Sequence, residues 1–300
     1  MQHNLTLVAC PSRMRLGNAV FDRVRETLAA FDLRPAVPVW LAPDRAADLP
    51  LALDGSEAAP IAAALRRDLD DLAIDLALLP TAGRRKRLLI SDMDSTIVDC
   101  ETLDDLAGYA GVGDEVAAIT WQSMNGEVEF VDALVRRVAM LEGLPAAMLE
   151  AAFERVRLVK GARILVRTMR AHGAHTVLVS GGFTYFTSRV AKLVGFHDEE
   201  ANTLEVAHGR LTGRIVPPII NRDGKVDALH RVSGELGIPI ADTVSLGDGA
   251  NDLGMIAAAG LGVAYRGKPA VAAAAQARID RTDLTALLFY QGYRIDQFAL

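Results

Sequence analysis

The residues that could do chemistry fall into four short stretches, and the first is a pair of carboxylates. The apolar run Leu88-Leu89-Ile90 breaks into Ser91-Asp92-Met93-Asp94-Ser95-Thr96, two aspartates two residues apart followed by hydroxyls. A short apolar run ending this way reads as a buried strand that delivers the aspartates to its C-terminal end, where α/β proteins keep their chemistry. Burying two carboxylates costs several kcal/mol unless a cation, a proton or donors compensate. The competing reading is a helix N-cap plus a solvated loop aspartate. Three further stretches also end a predicted strand or open a helix: Ser180-Gly181-Gly182, Gly224-Lys225, and Gly247-Asp248-Gly249-Ala250-Asn251-Asp252. In a parallel sheet such ends converge on one edge. Carboxylates suit Mg²⁺, while lysine, hydroxyl and backbone N–H groups suit phosphoryl oxygens. Phosphoryl transfer is the chemistry this set implies.

The elements that must position these residues divide in two. A chain of 300 residues exceeds the usual single domain. Residues 4–10, 20–31, 36–41, 60–72 and 74–79 alternate strand, helix, strand, helix, strand. This order predicts a ferredoxin-like α+β module over residues 1–83, of the regulatory amino-acid-binding type, with docking or oligomerisation as the alternative role. The turn Pro80-Thr81-Ala82-Gly83 and the basic run Arg84-Arg85-Lys86-Arg87 read as a solvated linker. From residue 84 to 300 the pattern is α/β: a Rossmannoid parallel sheet with helices on both faces. Helical patterns at 103–110, 114–124, 130–141 and 146–156 predict a cap inserted at about 101–159. The better alternation at 203–216 predicts a small β-hairpin flap.

Composition narrows the partners. Thirty-two Lys+Arg against 38 Asp+Glu, a net charge of -6, leave no basic footprint for nucleic acid. Two cysteines far apart, Cys10 and Cys100, argue against a disulfide framework or zinc site and for a reducing cytosol. The N-terminus lacks the basic start and apolar core of a signal peptide, and no uncharged apolar stretch reaches the ~18 residues of a membrane span. We therefore expect a soluble, cytoplasmic protein with no membrane partner. Gly247-x-Gly249-x-x-Asp252 is a near miss for a dinucleotide fingerprint, but an acidic residue there would repel a pyrophosphate. No P-loop, H-E-x-x-H or G-x-S-x-G is present, and the six histidines show no ligand spacing.

Taken in order, Asp92-Met93-Asp94-Ser95-Thr96, Ser180-Gly181-Gly182, Gly224-Lys225 and Gly247-Asp248-Gly249-Ala250-Asn251-Asp252 resemble the four motifs of the haloacid dehalogenase (HAD) superfamily phosphatases, over roughly residues 86 to 290. Within that superfamily the cap side is similar to the phosphoserine phosphatases. The resemblance implies Asp92 as nucleophile and Asp94 as general acid and base. It implies Mg²⁺ held by Asp92, the Asp94 carbonyl and Asp248, with Asp252 bound or close by. Phosphoryl oxygens would meet Ser180, Gly181, Gly182, Lys225 and Asn251. Glu101 would meet the amino group of a phosphorylated amino acid, Arg137 (with Arg136 beside it) its carboxylate, and Met124 and Phe130 its apolar surroundings. The expected partner is the small molecule O-phospho-L-serine, with phosphohomoserine as an alternative. A homodimer through the N-terminal domain is a further expectation.

Overall fold

The computed structural model describes residues 2–124 and 127–300; the side chain of Met124 lies outside the described residues, and so does its expected pocket role. The first unit runs β1 (Gln2–Ala9), α1 (Asn18–Ala29), β2 (Val39–Ala42), β3 (Ala46–Ala52), α2 (Ala58–Asp68) and β4 (Ile74–Pro80). Its sheet has the order β2-β3-β1-β4 and is antiparallel throughout, the ferredoxin-like arrangement. Period-2 alternation divides β1 between two cores. Leu5, Leu7 and Ala9 pack with Val20, Val24 and Leu28 of α1 and Ile61 and Leu65 of α2, whereas Val8 joins the core of the second unit. Sequence reading finds a single apolar run at 36–41; the structure has a hairpin there, with β3 as an additional strand. Asp48 and Pro50 disguise it. Pro50 is tolerated because β2 pairs β3 only as far as Asp48.

The second unit begins with β5 (Leu88–Ser91), followed by the cap helices α3 (Thr102–Ala110), α4 (Gly113–Met124), α5 (Phe130–Ala139) and α6 (Met148–Phe153). It continues with α7 (Ala162–Ala171), β6 (His175–Phe183), α8 (Thr184–Val194), β7 (Asp198–Ala207), β8 (Arg210–Val216) and α9 (Arg222–Glu235). Then come β9 (Thr243–Gly247), α10 (Leu253–Ala258), β10 (Leu261–Tyr265), α11 (Pro269–Ala274), β11 (Ala277–Ile279) and α12 (Ala286–Tyr290). Among the described residues the sheet order is β11-β10-β9-β5-β6-β7-β8, parallel except for the β7–β8 hairpin. The first strand of the unit therefore lies between β9 and β6, and the chain reverses its direction of winding there. That crevice is where α/β sheets bind ligands. All four residues of β5 are fully buried, which is why it reads as a continuous apolar run.

The cap leaves and re-enters the sheet through a short clamp, Asp99 N–H to Arg157 O at 2.9 Å and Val159 N–H to Ile97 O at 2.9 Å. The β7–β8 hairpin supports it from beneath, through Gly143 N–H to Leu211 O at 2.9 Å.

Arg84 corrects the solvated-linker reading. Its guanidinium is nearly buried, 2.5 Å from Asp48 Oδ2, and donates to the carbonyls of Tyr290 (2.7 Å) and Phe289 (3.1 Å). Asp48 points from β3 into the seam between the two units, and a buried carboxylate there needs a cation. Arg45 adds a bond to Thr285 Oγ1 at 2.6 Å, and Asp75 accepts from the amide and hydroxyl of Thr282 at 2.8 and 2.6 Å. Only Arg85 and Arg87 of the basic run are solvent-exposed.

Candidate active site

The ladder between β5 and β9 extends one residue past the strand, Asp92 N–H to Leu246 O at 2.9 Å, so the Asp92 backbone is fixed by the sheet. The chain then turns tightly: the amides of Thr96, Ile97 and Val98 all point at the Met93 carbonyl (3.3, 2.8 and 3.0 Å), and Ser95 adopts φ 55. This turn sets Asp94 beside the start of α3, where Thr102 donates its amide to Oδ1 (3.3 Å) and its hydroxyl to Oδ2 (3.2 Å).

Lys225 reaches the same place from α9. It shares a buried stripe with Ala228, Leu229 and Val232, spaced at three, four and seven residues, so helical periodicity turns it inward. Asn221 caps that helix by accepting from Gly224 N–H at 2.9 Å. The Lys225 Nζ lies 2.6 Å from Asp92 Oδ1 and 2.6 Å from Asp252 Oδ1. Both oxygens of Asp252 are committed, because Oδ2 accepts the amides of Asp248 and Gly249 at 3.0 Å each. Asp252 thus braces the loop that presents Asp248. Gly247 is required by this close approach: a Cβ there would lie 2.4 Å from the Asp252 carboxyl carbon.

A cavity of about 250 Å³ opens above these groups. Of the residues expected from sequence, Asp92, Asp94, Glu101, Phe130, Arg137, Ser180, Gly181, Gly182, Asp248 and Asn251 line it, while Lys225 and Asp252 stand behind its floor. Arg137 lines the cavity and is buried, whereas Arg136 is exposed. The Arg137 guanidinium is held in place by Ala133 O (3.2 Å) and Thr120 Oγ1 (2.9 Å). Across the cavity Glu101 accepts from Ser95 Oγ at 2.7 Å. The Phe130 ring covers Gly181 so closely that a Cβ there would lie 2.5 Å from the ring.

Sequence reasoning passed over the groups that hold these in place. Thr96 donates to Asp248 Oδ1 at 3.2 Å. Asn202 ties the carbonyl of Gly181 (2.9 Å) to residue Ile220 just before α9 (2.7 Å from its amide). Arg222 lines the cavity from the first turn of α9. Only the Asn221 cap carried a local signal, an Asn ahead of a helix start; Asn202 and Thr120 become visible only in three dimensions.

Burial dominates the electrostatics. It raises Asp92 to about 6, with Asp252 adding and Lys225 opposing, and Asp94 to about 7, with Asp92 adding and Thr102 opposing. Glu101 and Asp248 rise to about 8, again by burial first and then by neighbouring carboxylates. Burial opposes the charge on Lys225, but Asp252 and Asp92 overcome it and keep the ammonium above its ordinary value. One lysine cannot balance this many carboxylates. Oxygens of Asp92, Asp248 and Asp252 lie within 4.8 Å of one another, a buried all-oxygen donor set that suits a hard cation.

The family model described as haloacid dehalogenase-like hydrolase matches residues 89–257. A phosphoserine phosphatase from Archaeoglobus fulgidus is 42% identical over 233 residues, covering 77% of this chain and 68% of that one. Another from Streptomyces coelicolor is 41% identical over 243 residues, 80% of this chain; the match spans only 59% of that relative's length. Among solved structures, a HAD family hydrolase from Salmonella enterica superposes with a TM-score of 0.83 at 27% identity, covering 96% of this chain and 98% of that one. A substrate-bound phosphoserine phosphatase complex gives 0.66 at 35% identity, covering 69% and 98%. With the family match spanning more than half of its length and enclosing every motif of the cavity floor, this chain belongs to the haloacid dehalogenase-like hydrolase family.

Proposed function

We propose that the protein is a phosphoserine phosphatase, hydrolysing O-phospho-L-serine to serine and phosphate as the last step of serine biosynthesis in the cytoplasm. The observation that carries this reading is the placement of one acidic and one basic cap residue, Glu101 and Arg137, in the cavity whose floor is Asp92, Asp94 and Asp248. A phosphorylated amino acid presents an ammonium and a carboxylate besides its phosphate. Glu101 is fixed by Ser95 and Arg137 by Thr120, so both are set in advance of the ligand.

Asp92 attacks phosphorus, forming an aspartyl-phosphate as the bond from phosphorus to the serine oxygen breaks. Asp94, held by Thr102, gives that oxygen a proton. A water then loses its proton to Asp94 and attacks phosphorus, and the bond to Asp92 breaks to release phosphate. Burial and the neighbouring Asp92 push Asp94 up, while Lys225 at 2.6 Å supports the charge on Asp92, and such unequal surroundings favour a proton donor beside an ionised nucleophile. Ser180 and the Gly181 amide, with Asn251, would meet the phosphoryl oxygens, while the Gly182 N–H donates to Ser180 Oγ at 2.9 Å and orients that hydroxyl. Mg²⁺ would be held by Asp92, the Asp94 carbonyl and Asp248, with Asp252 bracing them, and would supply charge neutralisation for the phosphoryl group. The division of the chain at residues 83 and 84 belongs to this reading, the first unit serving as a regulatory or dimer-forming module.

A panel of phosphorylated amino acids and sugars, assayed for phosphate release with Mg²⁺ and with EDTA, tests it. O-Phosphoserine should lead the panel, with turnover lost in EDTA. A sugar phosphate or phosphohomoserine turned over with higher kcat/KM would overturn the substrate.

A further inference from the structure

Between the two units a second cavity of about 460 Å³ opens between the end of α2 and the edge strand β11. Four arginines line it: Arg66 and Arg67 from the last turn of α2, Arg278 from β11, and Arg281 just beyond. Three carboxylates share the space, and each is already engaged. Asp75 accepts the main-chain amides of Asp280, Arg281 and Thr282 at 2.9, 3.1 and 2.8 Å. Asp70 pairs with Arg281 at 2.6 Å, and Asp280 with Arg278 Nη2 at 2.8 Å. What remains is positive: among the described residues neither Arg66 nor Arg67 makes a hydrogen bond or ion pair, and Arg278 Nε is fully buried with no partner.

Basic residues in a last helical turn complement the helix dipole, and that accounts for Arg67, which is exposed. It does not account for Arg66, half-buried in the same cavity as a second arginine; burial, reinforced by the Arg278 charge, holds its proton affinity below the ordinary guanidinium value although Tyr290, Asp280 and Asp75 pull the other way. The half-buried Arg66 guanidinium makes no hydrogen bond and Arg278 Nε lacks an acceptor, and an oxyanion is the partner whose geometry such planar forks match.

We propose that this cavity binds a small dianionic oxyanion, a phosphoryl or dicarboxylate metabolite, between Arg66 of the first unit and Arg278 of the second. The ligand would bridge the seam. It would also sit at β11, two strands from the end of β9 that presents Asp248, so occupancy could be read at the reaction centre.

The test uses the full chain and two probes, inorganic phosphate and succinate, titrated calorimetrically into wild type, Arg66→Met and Arg278→Met. The first cavity is unchanged in all three, so its own phosphate binding is a constant background. Each substitution should weaken one binding event about 10- to 100-fold, the loss expected for a charge-assisted hydrogen bond. Loss with phosphate alone identifies a phosphoryl ligand, and loss with succinate alone a dicarboxylate. Arg66 makes no hydrogen bond or ion pair, so Arg66→Met should melt close to wild type without anion, and the anion-induced rise in Tm should be smaller in both variants than in wild type. Arg66→Gln serves as a second variant under the same criteria. Isotherms and anion-induced Tm shifts for both probes that match wild type in the folded variants would overturn the site.

Discussion

Lys225→Met is the substitution whose cost can be worked out most directly. The ammonium is fully buried and lies 2.6 Å from two carboxylates, Asp92 and Asp252, themselves buried. Methionine fills much of the same volume, so the change is mainly electrostatic. Removing one partner of a buried pair costs about 3–5 kcal/mol, because the charge left behind has neither water nor counter-ion. At roughly 2–4 °C per kcal/mol for a chain of this size class, the expected drop in Tm is on the order of 10 °C, measured in EDTA at pH 8. Acidity should shrink the deficit, and the sign follows from proton linkage. Asp92 already binds its proton more tightly in the folded state, at about 6 against about 3.9 in an unfolded chain, and losing the lysine raises it further. A carboxyl raised in the folded state stabilises when protonated, and that contribution disappears as pH rises through its folded value. The gap between wild type and variant should therefore be small near pH 5 and full at pH 8. Mg²⁺ should restore part of the lost stability at pH 8, since a cation at the same carboxylates replaces the missing charge. Differential scanning calorimetry at the two pH values, with and without Mg²⁺, measures all of this. A variant that melts within 2 °C of wild type at pH 8 in EDTA would refute the claim that Lys225 balances the carboxylates.

Asp92→Asn should abolish turnover and aspartyl-phosphate formation while leaving the far-UV circular dichroism unchanged; residual phosphatase activity above about one part in a thousand would remove Asp92 as nucleophile. Arg137→Ala should lower kcat/KM for O-phosphoserine by about 100-fold but leave p-nitrophenyl phosphate hydrolysis within a few-fold, since the latter has no carboxylate to meet. Equal losses on both would reassign Arg137 to holding the cap together. Arg84→Met should destabilise the chain by about 3 kcal/mol by orphaning Asp48 in the seam, read as a shift of the urea midpoint, and an unchanged midpoint would mean that the seam does not depend on this pair.

How much of this was legible in the sequence depends on the range over which each signal acts. Fully buried parallel strands are short and mostly apolar, so β5 and β9, and the acidic and glycine-rich stretches that follow them, could be placed on one sheet edge without coordinates. Strand β3 was not legible, because its Asp48 contradicts a buried strand until Arg84, 36 residues away, is known to be its counter-ion. The same reasoning explains the misread basic run: a chain segment looks solvated when its partners are remote. At the site, residue types that do chemistry were visible because their burial is otherwise costly, whereas Thr96, Thr102, Thr120 and Asn202 were not, since hydroxyls and amides occur everywhere and reveal a role only through the atom they reach. Lys225 lies between these cases. Its residue type suggested an anion, but that its ammonium would be buried on the inner face of α9 and bridge Asp92 and Asp252 follows only from the way β5 and β9 bring the two carboxylates together. A buried charge can be inferred from a pattern, and its partner has to be found in the fold.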